Sequence, residues 1–155
     1  PDEVMFSETV RAEQARRGSR AGYARAAAKG SFQHDLSDEV IEFVAERNSA
    51  YLATAGADGQ PYVQHRGGPR GFLRVVDRRT MAFADYSGNR QYISIGNLAD
   101  NDKAFLFLMD YAEGRRLKLW GSARVVEDAE TRAIVFTVRA WDWNCSQHIP
   151  RLVAA

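Results

Sequence analysis

Hydrophobic and polar positions follow two different rhythms along the chain, and the change falls near residue 50. Before it, residues 1–46 read as helices. AEQARR at 12–17 is rich in helix formers and is interrupted at Gly18, and AGYARAAAKG at 21–30 closes at Lys29-Gly30. A third helix opens after Ser37 or Asp38, with Val40, Ile41, Phe43 and Val44 as its apolar stripe, and ends at Glu46-Arg47-Asn48. From there the pattern is that of strands. SAYLATAG at 49–56 and PYVQHRG at 61–67 flank Asp58-Gly59, a hairpin signal. GFLRVV at 71–76 and TMAFADY at 80–86 form a second pair around Asp77-Arg78-Arg79. The stretch 87–101 breaks the alternation, and Tyr92, Ile93, Ile95 and Leu98 define a helical face with Ser87 placed to cap it. KAFLFLMDY at 103–111, RRLKLWGSARVV at 115–126 and AIVFTVRAW at 133–141 complete the set. Six or seven antiparallel strands with one inserted helix predict a small closed barrel, because closure removes exposed edges.

Composition narrows the function classes. At 155 residues and 17.4 kDa one domain is expected. Lysine and arginine total 21 against 20 acidic residues, a formal charge of +1 that argues against a nucleic-acid module. Cys145 is the single cysteine, which excludes a disulfide framework within the chain and a multi-cysteine zinc site. No run approaches the roughly 18 apolar residues of a membrane span, and the opening PDEVMF has no secretory apolar region. The expectation is a cytoplasmic protein with no membrane contact.

Candidate chemistry is concentrated in two polar, glycine-bearing stretches. His34, His65 and His148 have no metal-ligand spacing, so no metal is assigned. Cys145 and His148 lack a third orienting group, so no catalytic residue is assigned either. Ser87-Gly88-Asn89-Arg90-Gln91 follows a strand and opens the inserted helix. Helix-start amides, the Ser87 hydroxyl and the Arg90 guanidinium form a compact anion site there. A capped surface helix explains the same residues equally well. Gln64-His65-Arg66-Gly67-Gly68-Pro69-Arg70-Gly71 is a basic stretch where Gly67 and Gly68 admit a flat ligand close to main chain, or simply a basic turn between strands. Trp120, Trp141 and Trp143 suit core packing, a cofactor edge or a dimer contact.

Taken in order, DGQPYVQHRGGPRGFL at 58–73, FADYSGNRQYISIGNLADN at 83–101, FLFLMDY at 105–111, GRRLKLWGSARVV at 114–126 and NCSQHIPR at 144–151 carry a resemblance. Over residues 38–148 the chain resembles the pyridoxamine 5'-phosphate oxidase-related, FMN-binding split-barrel family. That resemblance implies a mainly β protein, an antiparallel split β-barrel with N-terminal helices and an inserted helix. Residues 1–37 would be a helical extension and 38–155 the FMN-binding domain. It implies a homodimer with FMN in a cleft between subunits, the phosphate held by Ser87 and Arg90 with Asn89 and Gln91 as neighbours after the strand ending Asp85-Tyr86. The flavin would run beside Gln64, His65, Arg66 and Gly67, with Tyr86, Arg116 and Trp141 completing the cofactor contacts. The family's oxidase pattern has arginine where Gln64 stands, glycines replace its apolar residues and lysine, and Arg116 stands at a glutamine position. Classical pyridoxamine-phosphate oxidation is therefore not expected. The implied function is that of an FMN-dependent oxidoreductase acting on an unidentified small molecule. A flavin-storage or partner-dependent electron-carrier module, or a haem or deazaflavin binder in the same cleft, is the alternative.

Overall fold

A computed structural model describes residues 2–86, 90–144 and 148–153, with the backbone alone at residue 144. Four helices precede the sheet: α1 (Asp2–Met5), α2 (Glu8–Arg17), α3 (Arg20–Ala28) and α4 (Asp38–Ala45). The Ser7 hydroxyl accepts from the Val10 amide to start α2, and Gly18 ends it in the left-handed region at φ 91°. Neither α2 nor α3 buries a residue. α4 differs, because its apolar stripe buries Val40, Phe43 and Val44 in the core.

The remaining elements are β1 (Ser49–Ala55), β2 (Pro61–Gly67), β3 (Arg74–Asp77), β4 (Thr80–Ala84), α5 (Ile93–Asp100), β5 (Lys103–Asp110), β6 (Arg115–Glu127) and β7 (Arg132–Asn144). They form one antiparallel sheet in the order β2-β1-β5-β6-β7-β4-β3. The mainly β class with N-terminal helices and an inserted helix is as expected. The closed split barrel is not: β2 and β3 stand at opposite edges, and no ladder joins them, so the sheet is open. Closure would need backbone pairing along those two edges. β3 has only four residues and shifts register between Val75 and Asp77, while β2 buries none of its residues.

Several boundaries also move. β3 begins at Arg74 rather than residue 71, and β7 runs on to Asn144. α5 starts at Ile93, not beside Ser87, because Arg90 and Tyr92 both take positive φ (62° and 55°) and hold the helix off until then. The short link before β7 is a tight turn, in which the Asp128 carboxylate accepts from the amides of Glu130 and Thr131 and from the Thr131 hydroxyl.

Leu52, Leu106, Leu108, Leu117, Leu119, Ile134 and Phe136 are fully buried on one face of the sheet, where α4 joins them. β6 and β7 slip register between Trp120 and Gly121, and a Cβ at Gly121 would lie 2.1 Å from the Thr137 carbonyl oxygen, so only glycine fits that bulge. The other face presents half-buried aromatics. Phe105 packs edge-on against Trp120 at 5.0 Å and lies beside Phe107 at 6.5 Å.

Candidate functional site

Strand alternation decides what β2 offers. Opposite the buried Ala50 and Leu52 of β1 stand Arg66 and Gln64, so these two side chains point to the inner side of the sheet with Tyr62. His65 and Val63 point the other way, and His65 lies edge-on to Tyr51 at 5.5 Å. Beyond the inner side of β2 lie the end of β4, the first turn of α5 and the start of β7, and between these elements is a narrow cleft.

A buried carboxylate organises that cleft. Asp85, directly after β4, has a side chain only 5% exposed. Arg66 Nη1 donates to its Oδ1, and Arg132 Nε donates to its Oδ2 at 2.7 Å. The Asp85 amide donates to the Arg132 carbonyl oxygen at 2.9 Å, fixing the two residues by main chain as well. Arg66 Nη2 reaches Gln64 Oε1 at 3.2 Å, and the buried Ser94 in the first turn of α5 donates its hydroxyl to the same oxygen at 2.9 Å. The network runs from α5 through β2 to the end of β4 and the start of β7. Its hydrogen bond to Asp85 raises the Arg132 guanidinium above the ordinary arginine value, so that charge is permanent.

Three arginines, Arg66, Arg90 and Arg132, line the cleft against the one carboxylate of Asp85. Ile93, Ser94 and Ile95 bring in the amino end of α5, where backbone N–H groups have no intrahelical acceptor. Such a surplus of positive charge at a helix start is suited to an anion. Beside it runs a wider groove that shares Tyr86 and Arg132 with the cleft. Ala82, Ala84 and Ala133, at neighbouring register positions, line it together with Phe72 and Tyr86, and Arg74 borders it.

Of the residues singled out from sequence, Gln64, Arg66, Tyr86, Arg90 and Gln91 all line the cleft. Ser87 and Asn89 lie outside the described residues. His65 is on the opposite face, and Gly67 ends β2 opposite Ser49. Arg116 stands on β6 opposite Met109. Trp141 donates its indole N–H to the Asp35 carbonyl oxygen at 2.8 Å, nine positions along β7 from Arg132 and so roughly 30 Å of strand away. Sequence reasoning missed Asp85 as the organiser, and Arg132 and Ser94 as members. A buried acid requires a basic partner, but nothing in the order of residues tells which of 21 lysines and arginines supplies it.

Among the described residues no group of three His, Cys, Asp or Glu side chains is placed to hold a metal ion, and no helix is long and apolar enough to cross a membrane. His34 lies 2.6 Å from the Asp35 carboxylate.

Among curated proteins, no sequence is similar enough to count as a match. Solved structures are more informative about shape. A putative pyridoxamine 5'-phosphate oxidase from Lactobacillus delbrueckii aligns with a TM-score of 0.56 at 20% identity, over 71% of this chain and 95% of its own. HupZ of Group A Streptococcus aligns with a TM-score of 0.56 at 17% identity, over 76% and 100% respectively. An FAD-binding protein from Mesorhizobium loti aligns with a TM-score of 0.53 at 15% identity, over 70% and 92%. At these identities the likeness is one of fold. In sequence, the family profile described as pyridoxamine 5'-phosphate oxidase matches residues 36–151, which hold every element from α4 to β7 and the whole of the arginine-lined cleft. The chain belongs to the pyridoxamine 5'-phosphate oxidase family, whose fold is of the flavin-binding kind.

Proposed function

We propose that this protein is an FMN-binding oxidoreductase in which the cleft takes the phosphate and the adjoining groove takes the flavin ring. The observation that carries this reading is the continuity of the two. A cationic cleft at a helix start shares Arg132 and Tyr86 with a groove lined largely by apolar and small side chains, the division of polarity that a phosphorylated aromatic cofactor has along its length. The chain's own groups fit such a ligand. Arg66 Nε is buried without a partner at the cleft, and Ala82, Ala84 and Ala133 leave room for a ring where larger side chains would fill it. Arg90, Gln91 and the α5 amides would hold the phosphate, with Ser87 and Asn89 as further contacts, and Gln64, Arg66 and Tyr86 would border the flavin.

The flavin, when bound, supplies the electron or hydride transfer. The protein supplies binding, orientation and a positive field around the cofactor's charged end. Residues 38–155 form the cofactor domain in this reading, with 1–37 as an extension. The functional unit is a homodimer. Trp141 lies on the core side opposite Leu119. Arg116 stands away from the cleft within one chain and on the face of Phe105, Phe107 and Trp120, so it would reach a cofactor only from a second copy packed there. His65 and Gly67 border that same side.

Titration of the purified protein with FMN and with riboflavin, followed by quenching of flavin fluorescence, tests the reading. FMN is expected to bind tighter by about tenfold or more, the worth of charge-assisted contacts to its phosphate. No affinity for FMN at micromolar concentration, or equal affinity for both flavins, would overturn it.

A further inference from the structure

Arg66 and Arg132 both pair with Asp85, yet they are not equivalent. Arg66 is committed on two sides: Nη1 donates to Asp85 and Nη2 to Gln64, whose oxygen also accepts from Ser94. Arg132 gives Asp85 only its Nε, and its two Nη groups make no hydrogen bond to the described residues. Its guanidinium lies 5.4 Å from the centre of the Tyr92 ring, and it alone among the arginines borders both the cleft and the adjoining groove. We propose that Asp85 is a positioning residue that fixes two arginines in different roles: Arg66 ties α5 and β2 to the end of β4, while Arg132 presents its Nη edge to the ligand's phosphate. This inference rests on the flavin reading for the identity of the ligand, but not for the presence of an anion site.

The physical argument is one of shared countercharge. Two guanidinium groups within reach of one buried site repel each other, and a carboxylate between them removes that repulsion while accepting a hydrogen bond from each. Because Arg66 is held from the other side by Gln64, Asp85 is itself fixed relative to β2 and α5. The Nε bond, together with the main-chain bond from the Asp85 amide to the Arg132 carbonyl oxygen at 2.9 Å, then sets the direction in which the remaining Nη groups point. An asparagine at position 85 would keep the shape but lose the charge, and its NH₂ would face one guanidinium donor to donor. The opposite role is equally definite in its consequence. If Asp85 merely competed with the ligand for arginine, removing its charge would tighten anion binding.

The test compares intact wild-type protein with Asp85→Asn and Arg132→Gln in FMN and riboflavin titrations at low and high salt, with thermal melting as the check on folding. Asp85→Asn is expected to weaken FMN by about tenfold or more and to leave riboflavin within about twofold. Arg132→Gln is expected to abolish the preference for FMN over riboflavin and to flatten the salt dependence of FMN binding. Inorganic phosphate gives an arm independent of flavin: it should raise the melting temperature of the wild type and not of Arg132→Gln. Unchanged or tighter FMN binding by a folded Asp85→Asn protein would overturn the positioning role. A wild-type FMN preference retained in Arg132→Gln would overturn the role of Arg132, and this variant decides the matter should Asp85→Asn fail to fold. A wild type that responds to phosphate but does not prefer FMN sinks the flavin reading and leaves the cleft assignment standing, whereas no response to either sinks both.

Discussion

Asp142 lies half-buried on the aromatic side of the sheet with Lys118 Nζ 3.8 Å from its carboxylate. Burial outweighs that ion pair, so its carboxyl is raised above the ordinary 3.8. For an acid the sign is then fixed. Below 3.8 the group is protonated in both folded and unfolded chains and has no effect, while above it the folded state bears the cost of a partly desolvated charge. Asp142→Asn is therefore expected to raise the melting temperature at pH 7 and leave it unchanged near pH 3, as melts at the two pH values will show. Asp128 behaves oppositely: the amides of Glu130 and Thr131 lower its carboxyl, so its contribution holds above 3.8 and fades as pH falls through the lowered value. At the site, Arg90 is the exposed arginine of the cleft, and Arg90→Ala should weaken FMN several-fold while sparing riboflavin in the same fluorescence titration. Gln64, Arg66, Tyr86, Arg90 and Gln91 were legible in the sequence because unusual polar residues cluster where strand rhythm breaks. Asp85 and Arg132 were not, since 47 positions separate them and only the pairing of β4 with β7 makes them neighbours.

Caps and turns made most elements readable. Ser37 predicts the start of α4, and its hydroxyl accepts from the Val40 amide at 3.2 Å. Because α4 seals the core through Val40, Phe43 and Val44, Ser37→Ala is expected to cost about 1 kcal/mol, measurable by urea denaturation. The start of α5 was misplaced for a local reason. Ser87 is a good capping residue by type, but the positive φ values of Arg90 and Tyr92 delay the helix to Ile93. That delay brings the first turn of α5, with Ser94, against Gln64 of β2. β3 was overestimated at its start because Gly71, Phe72 and Leu73 look strand-like, yet Gly71 takes φ 85° and Leu73 is drawn into the core ahead of the strand.

At the level of the whole molecule, the aromatic face of Phe105, Phe107 and Trp120, which also carries Arg116, is the surface proposed for a second copy. Phe107→Glu should shift the protein toward monomer in light scattering and weaken FMN in parallel, and a wild type that is monomeric with FMN bound would contradict the dimer. The sequence by itself determined the helix and strand order, the cap of α4 and the hairpin turns. All of these depend on neighbours a few residues apart, where covalent geometry and side-chain period leave little choice. Tertiary structure alone decided that the sheet stays open, with β2 and β3 as free edges, and that the gap beside β2 is spanned by a carboxylate between two arginines. Edge pairing and ion pairing depend on where distant segments meet, and the free energy of each is settled only by the burial found there.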